Sequence, residues 1–292
     1  MTTAVDFVNL ALNGLVEGLL IALPALALTL VMGIARFPNA ATGDYMTVSA
    51  YAALGVQKAL GVAIAVAAIG AAAAGIAVAL FFHLWVFRAL ARRRPVASLV
   101  ASIGIAFLVR ALLTLFVGQE QQTFQVALVR AWNFGGVRLL PTDLYAALGA
   151  IVAMAALFAL LHATPIGRQM RAVADNPDLA RASGIRAGRV MLVMWACTGA
   201  LCAVGGVLMG VKAVVMPELG WELLIPAFAA MILGGIGSVP GAVAGGVLLG
   251  MVQELSIPFV GPSYKIAVTF GVMLAVLLLR PRGLFGSAPA AR

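Results

Sequence analysis

The chain is 292 residues long, 63% hydrophobic and only 10% charged, with a mean hydropathy of +1.09. A water-soluble globule carries about a quarter charged residues to cover its outside, so this composition excludes a soluble enzyme or signalling domain. The net charge of +9 sits on arginines that fall between apolar segments and build no basic stripe, which excludes a nucleic-acid binder.

A bilayer crossing takes about 20 mainly apolar residues. Nine apolar runs follow one another at about 10–34, 44–60, 61–82, 96–117, 142–162, 190–211, 223–237, 240–256 and 264–280. The amino terminus, Met1-Thr2-Thr3-Ala4-Val5-Asp6, lacks the basic cluster of a signal peptide, and Ala35-Arg36-Phe37-Pro38 is a poor cleavage site. The first run is therefore expected as a retained helix. The second run begins with polar residues, and 223–237 is short, contains Pro226 and ends in glycines. Either can be broken or re-entrant, which a bilayer tolerates only where protein or a water-filled cavity satisfies the freed backbone. The expected fold is an all-α polytopic transmembrane bundle of eight or nine helices, one domain over residues 1–292.

Loop arginines orient such a bundle. With the amino terminus outside, the inner loops hold Arg36, Arg88, Arg92, Arg93, Arg94, Arg168, Arg171, Arg181, Arg186, Arg189, Arg280, Arg282 and Arg292. The outer side holds only Lys58, Arg130, Arg138, Lys212 and Lys265, so the carboxyl terminus is expected in the cytoplasm. The longest outer loop spans about 118–141. The longest inner loop, about 164–189, has structure of its own. Thr164-Pro165 offers a cap and a first-turn proline for a helix through Ala174, and Asn176-Pro177-Asp178 starts a second that ends at Gly184. Two short helices at the membrane surface suit docking better than mere connection.

Cys197 and Cys202 lie five apart in one apolar run without a neighbouring ligand pair, and are read as space-filling. His83 and His162 end separate runs and are read as interfacial. Glycine pairs spaced four apart, at 14/18, 206/210, 237/241, 241/245 and 246/250, allow helix backbones to approach. The run Gly234-Gly235-Ile236-Gly237-Ser238-Val239-Pro240-Gly241 sets a flexible break between two short segments. Ionisable groups within or beside the runs are Glu17, Asp44, Arg110 and Glu254. Each needs a partner, water or a proton; Glu17 and Arg110 are candidates to pair, and Glu254 is read as interfacial. No catalytic constellation and no phosphate-cradling Gly-x-x-x-x-Gly-Lys element occurs.

Four stretches in order resemble the permease subunit of branched-chain amino acid ABC importers, and together they span nearly the whole chain. They are Gly18 to Gly33 leading into Pro38-Asn39-Ala40-Ala41-Thr42-Gly43-Asp44, then Gly167 to Ile185, then Gly234 to Gly246, and finally Leu279-Arg280-Pro281-Arg282-Gly283-Leu284-Phe285-Gly286. The family usually reads Asn-Phe-Ala-His-Gly where this chain has Asn39-Ala40-Ala41-Thr42-Gly43, which leaves the solute open between branched-chain and other amino acids, amides and urea.

The resemblance implies a bacterial inner-membrane protein without a cofactor of its own, ATP and magnesium being used by partner subunits. Those partners are two cytoplasmic ATP-binding subunits, a homologous permease as the second half of a heterodimer, and an extracytoplasmic solute-binding protein. Arg171, Ala172, Asp175, Asn176, Pro177, Asp178, Arg181, Ala182, Ser183 and Gly184 are expected to couple to the ATPase. Asn39, Thr42, Gly43, Asp44, Gly235, Gly237 and Ser238 are expected to line the path. The rival expectation is an ion-coupled secondary transporter built on Glu17, Glu254 and the glycine break.

Overall fold

The computed structural model describes residues 4–91, 94–126 and 130–286. Arg92, Arg93 and Arg292 of the orientation count lie outside the described residues. All nine apolar runs form helices. They are α1 (Ala4–Ile34), α2 (Thr42–Leu60), α3 (Ile64–Phe82), α5 (Pro95–Val117), α6 (Pro141–Ala163), α9 (Ala187–Lys212), α10 (Leu219–Gly234), α11 (Val239–Val260) and α12 (Lys265–Leu279). A π-helical turn, His83–Phe87, and a one-turn α4, Arg88–Leu90, prolong α3. The inner loop supplies α7 (Pro165–Asp175) and α8 (Pro177–Ala182).

Among the described residues, seven helices are long and apolar enough to cross a membrane, α10 is shorter, and α2 does not reach that apolarity. The protein is thus a multi-pass helical membrane bundle. Its polar second helix, suspect from sequence, is among the most enclosed elements: Thr42–Thr47, Ser49, Ala50, Tyr51, Ala53, Leu54 and Gln57 are all buried. The other helices hide it from lipid, so its side chains need not be apolar.

The core is built on α1, whose residues 19–31 are buried throughout. Glycine sets how closely its neighbours come. A methyl group on Gly18 would lie 2.6 Å from Val247 Cα, and one on Gly14 2.8 Å from Met251 Cα, so α1 and α11 touch backbone to backbone. The same contact recurs where Gly199 of α9 meets Ile76 of α3, at 2.8 Å, and where Gly43 of α2 meets the Gly220 carbonyl carbon of α10, also 2.8 Å.

The helices sort the loops into two ends. At one end Arg36 reaches α7, and the C-terminal segment caps α10 through Leu284 N–H to Leu233 O at 2.8 Å and Phe285 N–H to Gly234 O at 2.9 Å. The other end carries a feature absent from the sequence reading, a hairpin of β1 (Trp132–Phe134) and β2 (Val137–Leu139). Gly135 and Gly136, at φ 58° and 94°, make its turn, the pattern that two-residue hairpin loops demand. Asn9 of α1 clasps it, accepting from Arg138 N–H at 2.9 Å.

Gly18→Ala is expected to destabilise the bundle by about 1–3 kcal/mol, because the added methyl meets backbone that cannot yield. Gly271→Ala, whose methyl would meet nothing within 4 Å, should hold or raise stability, as alanine favours helix. Thermal unfolding in detergent reads both; equal melting temperatures for the two variants would refute the glycine contact.

Candidate functional site

Between α1 and α2 the chain leaves helical geometry, and several of its backbone N–H groups find partners within the protein. Arg36 takes a left-handed φ of 62°. Phe37 then packs against Phe87 and Trp195, with ring centroids 5.1 and 6.3 Å away. Ala40 N–H donates to Ser102 Oγ of α5 at 3.0 Å, and Ala41 N–H to Asn39 Oδ1 at 3.2 Å. Asn39, Thr42, Gly43 and Asp44 therefore converge as one buried polar cluster, capped by α10: Gly220 N–H donates to Thr47 Oγ1 at 3.0 Å.

The ion pairs differ from those expected. Glu17 does not meet Arg110, because α5 packs chiefly on α2 rather than on α1. Arg110 Nη2 donates to Asp44 Oδ1 at 3.2 Å and Oδ2 at 3.5 Å. Glu17 instead takes Lys212 Nζ at 3.1 Å, with Asp143 4.0 Å from the same nitrogen. Glu254 is buried and pairs with Lys265. His83 is buried, stacked 5.5 Å from Trp195, and His162 is exposed. Cys197 and Cys202 are free thiols within α9.

The glycine break lies elsewhere. Gly220 and Gly234 are separated along α10 by about 21 Å of helix rise, so Gly235, Gly237 and Ser238 do not join the Asn39–Asp44 cluster. Gly235 and Gly237 take φ values of 108° and 84°, and Ser238 caps α11 by accepting from Gly241 N–H at 3.1 Å. What the break does join is the inner loop. Gly237 and Ser238 share a cavity of about 340 Å³ with Gly33 of α1 and with Arg171, Ala174 and Asp175 of α7. Two groups of residues picked for separate roles thus face one space.

The inner loop forms the two helices its sequence announces. Thr164 Oγ1 accepts from Gly167 N–H at 3.1 Å, and Asn176 Oδ1 accepts from Asp178 and Leu179 N–H, both at 3.1 Å. Ile185 N–H returns to Ala180 O at 3.0 Å around left-handed Gly184, a Schellman closure. Met170, Val173 and Ala180 are buried against the bundle, and Ala172 also turns toward it. Asp178, Leu179, Arg181, Ala182, Ser183 and Gly184 are exposed, Leu179 to 64%. Asp178 and Arg181 pair with each other across one turn. Arg171 donates to Leu161 O, and Arg36 Nη2 to Ala174 O at 3.1 Å and Asp175 O at 3.4 Å, tying α7 to the ends of α6 and α1.

Among the described residues no cluster of His, Cys, Asp or Glu could hold a metal ion. Residues 10–277 match the family described as branched-chain amino acid transport system, permease component. The chain is 28% identical to the high-affinity branched-chain amino acid transport system permease protein LivH of Salmonella typhimurium, over 96% of both chains. It is 29% identical to the corresponding permease protein BraD of Pseudomonas aeruginosa, over 94% of both. Its fold is similar to that of an ABC transporter described as of metal-chelate type and solved in an inward-facing conformation, with a TM-score of 0.53, 13% identity, and coverage of 93% of this chain and 85% of the other.

Arg36→Ala should loosen the C-terminal turn of α7. Losing its hydrogen bonds at an exposed position is worth about 1 kcal/mol, or roughly fivefold faster hydrogen exchange of the 171–176 amides. Unchanged exchange would show that Arg36 does not tether α7.

Proposed function

Since the chain belongs to the branched-chain amino acid transport system permease family, we propose that it forms half of a membrane passage for branched-chain or other hydrophobic amino acids in an importer driven by ATP. The observation that carries this reading is α8. A capped helix with Leu179 exposed and Asp178, Arg181 and Ala182 beside it has little reason to be ordered unless something packs on it. A short helix set into a groove of a partner is a recurrent docking mode. The partner is a pair of cytoplasmic ATP-binding subunits, which supply the ATP and magnesium chemistry that this chain has no residues for.

Asp178 through Gly184 is the contact, and Arg171, Ala172, Asp175, Asn176 and Pro177 form its base on the bundle. Movement of α8 passes to α7, then through Arg36 to the end of α1 and across the shared cavity to Gly237 and Ser238. The buried cluster of Asn39, Thr42, Gly43 and Asp44 stands at the far end of α10. The passage runs between these two levels, closed on its other side by a homologous permease, and a solute-binding protein delivers the amino acid outside.

The distribution of charge supports an inner-membrane orientation with the hairpin outside, since Arg36, Arg88, Arg168, Arg171 and Arg181 gather at the coupling end. An ion-coupled carrier is less well supported. Its cation site would draw on Glu17 and Glu254, and both carboxylates are already occupied by lysines.

Ala182→Trp places a large ring on the exposed face of α8. Uptake by the assembled transporter should fall below about a tenth of wild type, which corresponds to more than 1.4 kcal/mol of lost coupling, while the protein stays in the membrane. Undiminished ATP-driven uptake would remove α8 from the coupling contact.

A further inference from the structure

Arg110 is the sole charged residue of α5, from Pro95 to Val117. A lone guanidinium in such a helix demands a partner, and Asp44 provides one, but the pair is lopsided. Asp44 is fully buried while the Arg110 side chain remains 15% exposed. Both Asp44 oxygens are served by the single nitrogen Nη2, and Arg110 Nε is buried without any hydrogen-bond partner. A guanidinium offers five N–H donors and binds a carboxylate best through two parallel bonds. Asp44 engages the guanidinium through one nitrogen only, which leaves Nη1 outside the pair.

Two aromatic rings lie beside the guanidinium. The guanidinium carbon lies 4.7 Å from the Trp221 ring centroid and 5.7 Å from that of Phe107, and these two rings are 6.1 Å apart. Trp221 is half-buried and Phe107 is 57% exposed. Arg110 stands seven residues before the end of α5, about 10 Å below the hairpin end by helix rise. A partly exposed cation at that depth cannot face hydrocarbon, so this face of α5 and α10 borders water or protein.

We propose that Arg110 recognises the α-carboxylate of the transported amino acid. Asp44 neutralises the guanidinium in the empty passage, the arriving carboxylate pairs with the Nη1 end that Asp44 does not use, and Trp221 and Phe107 cover the solute's apolar side chain. Asp44 stays as counter-charge, so a zwitterion adds no net charge to the site, whereas a free acid or a free amine would. This inference rests on the importer reading above and deepens it by naming the group that selects an amino acid over an amide or urea.

The test is leucine uptake by the complete reconstituted transporter, with its own binding protein and ATPase subunits held constant so that their selectivity cancels. Arg110→Gln should lower uptake about tenfold to a hundredfold while the partner subunits still co-purify. Arg110→Lys keeps the charge and the link to Asp44 but loses the fork; it should be about tenfold slower, and wild-type uptake from it would overturn the proposal. The exchange of Asp44→Arg with Arg110→Asp retains an α2–α5 ion pair. Uptake should remain low in it, and recovery to wild type would show that the pair merely clamps the helices. Failure of the unmodified complex to take up leucine with ATP would instead strike the importer reading itself, so the two failures are distinguishable.

Discussion

In lipid, apolar side chains gain little by leaving the tails, so helices associate through close packing and internal hydrogen bonds. Here the close packing is made by glycine. Gly14 and Gly18 admit the backbone of α11 to α1, Gly199 brings α9 onto α3, and Gly43 meets Gly220 where α2 crosses α10. Because the outer helices sit so near the centre, a polar helix can be threaded among them without touching hydrocarbon. The break at residues 35–41 and the buried Asp44 depend on that enclosure, since neither could exist facing lipid.

The enclosed break sits on a connected path. Arg36 marks the point where α1 ends and holds α7 through two carbonyls, while Ala40 and Thr47 join α2 to α5 and α10. A shift of α7 is therefore felt at α1 as well as at α6, to which Arg171 also ties it. The glycine break faces the same cavity as α7, with Gly235 and Gly237 in conformations that side chains resist. Both non-helical breaks of the bundle thus border the inner loop.

Much of this was legible in the sequence, and what was not had a physical reason. Helix positions followed from apolar runs, and the caps at Thr164 and Asn176 from local chemistry, because each depends on neighbours in the chain. Ion pairing did not follow. Glu17 and Arg110 are the obvious opposite charges, yet they lie on helices that pack against different neighbours, and only the assembled bundle gives Arg110 to Asp44 and Glu17 to Lys212. His83 does not end its segment, because the π-helical turn and α4 prolong the helix to Leu90 and leave His83 stacked on Trp195. The hairpin left a signal that went unread: Gly135-Gly136 between Trp132-Asn133-Phe134 and Val137-Arg138-Leu139 has the form of a two-residue turn. The path residues were grouped by type rather than by depth, so the separation of Asn39–Asp44 from Gly235–Ser238 appeared only with the length of α10 between them.

The reading proposed above has this chain provide a passage that separate ATP-binding subunits drive through its inner loop. The most direct measurement is solute accumulation in proteoliposomes, comparing the chain alone under an imposed proton or sodium gradient with the chain assembled with its permease partner, ATP-binding subunits and binding protein. Accumulation is expected only in the assembled complex and only with hydrolysable ATP. Uphill accumulation by the chain alone, collapsed by an ionophore, would contradict it.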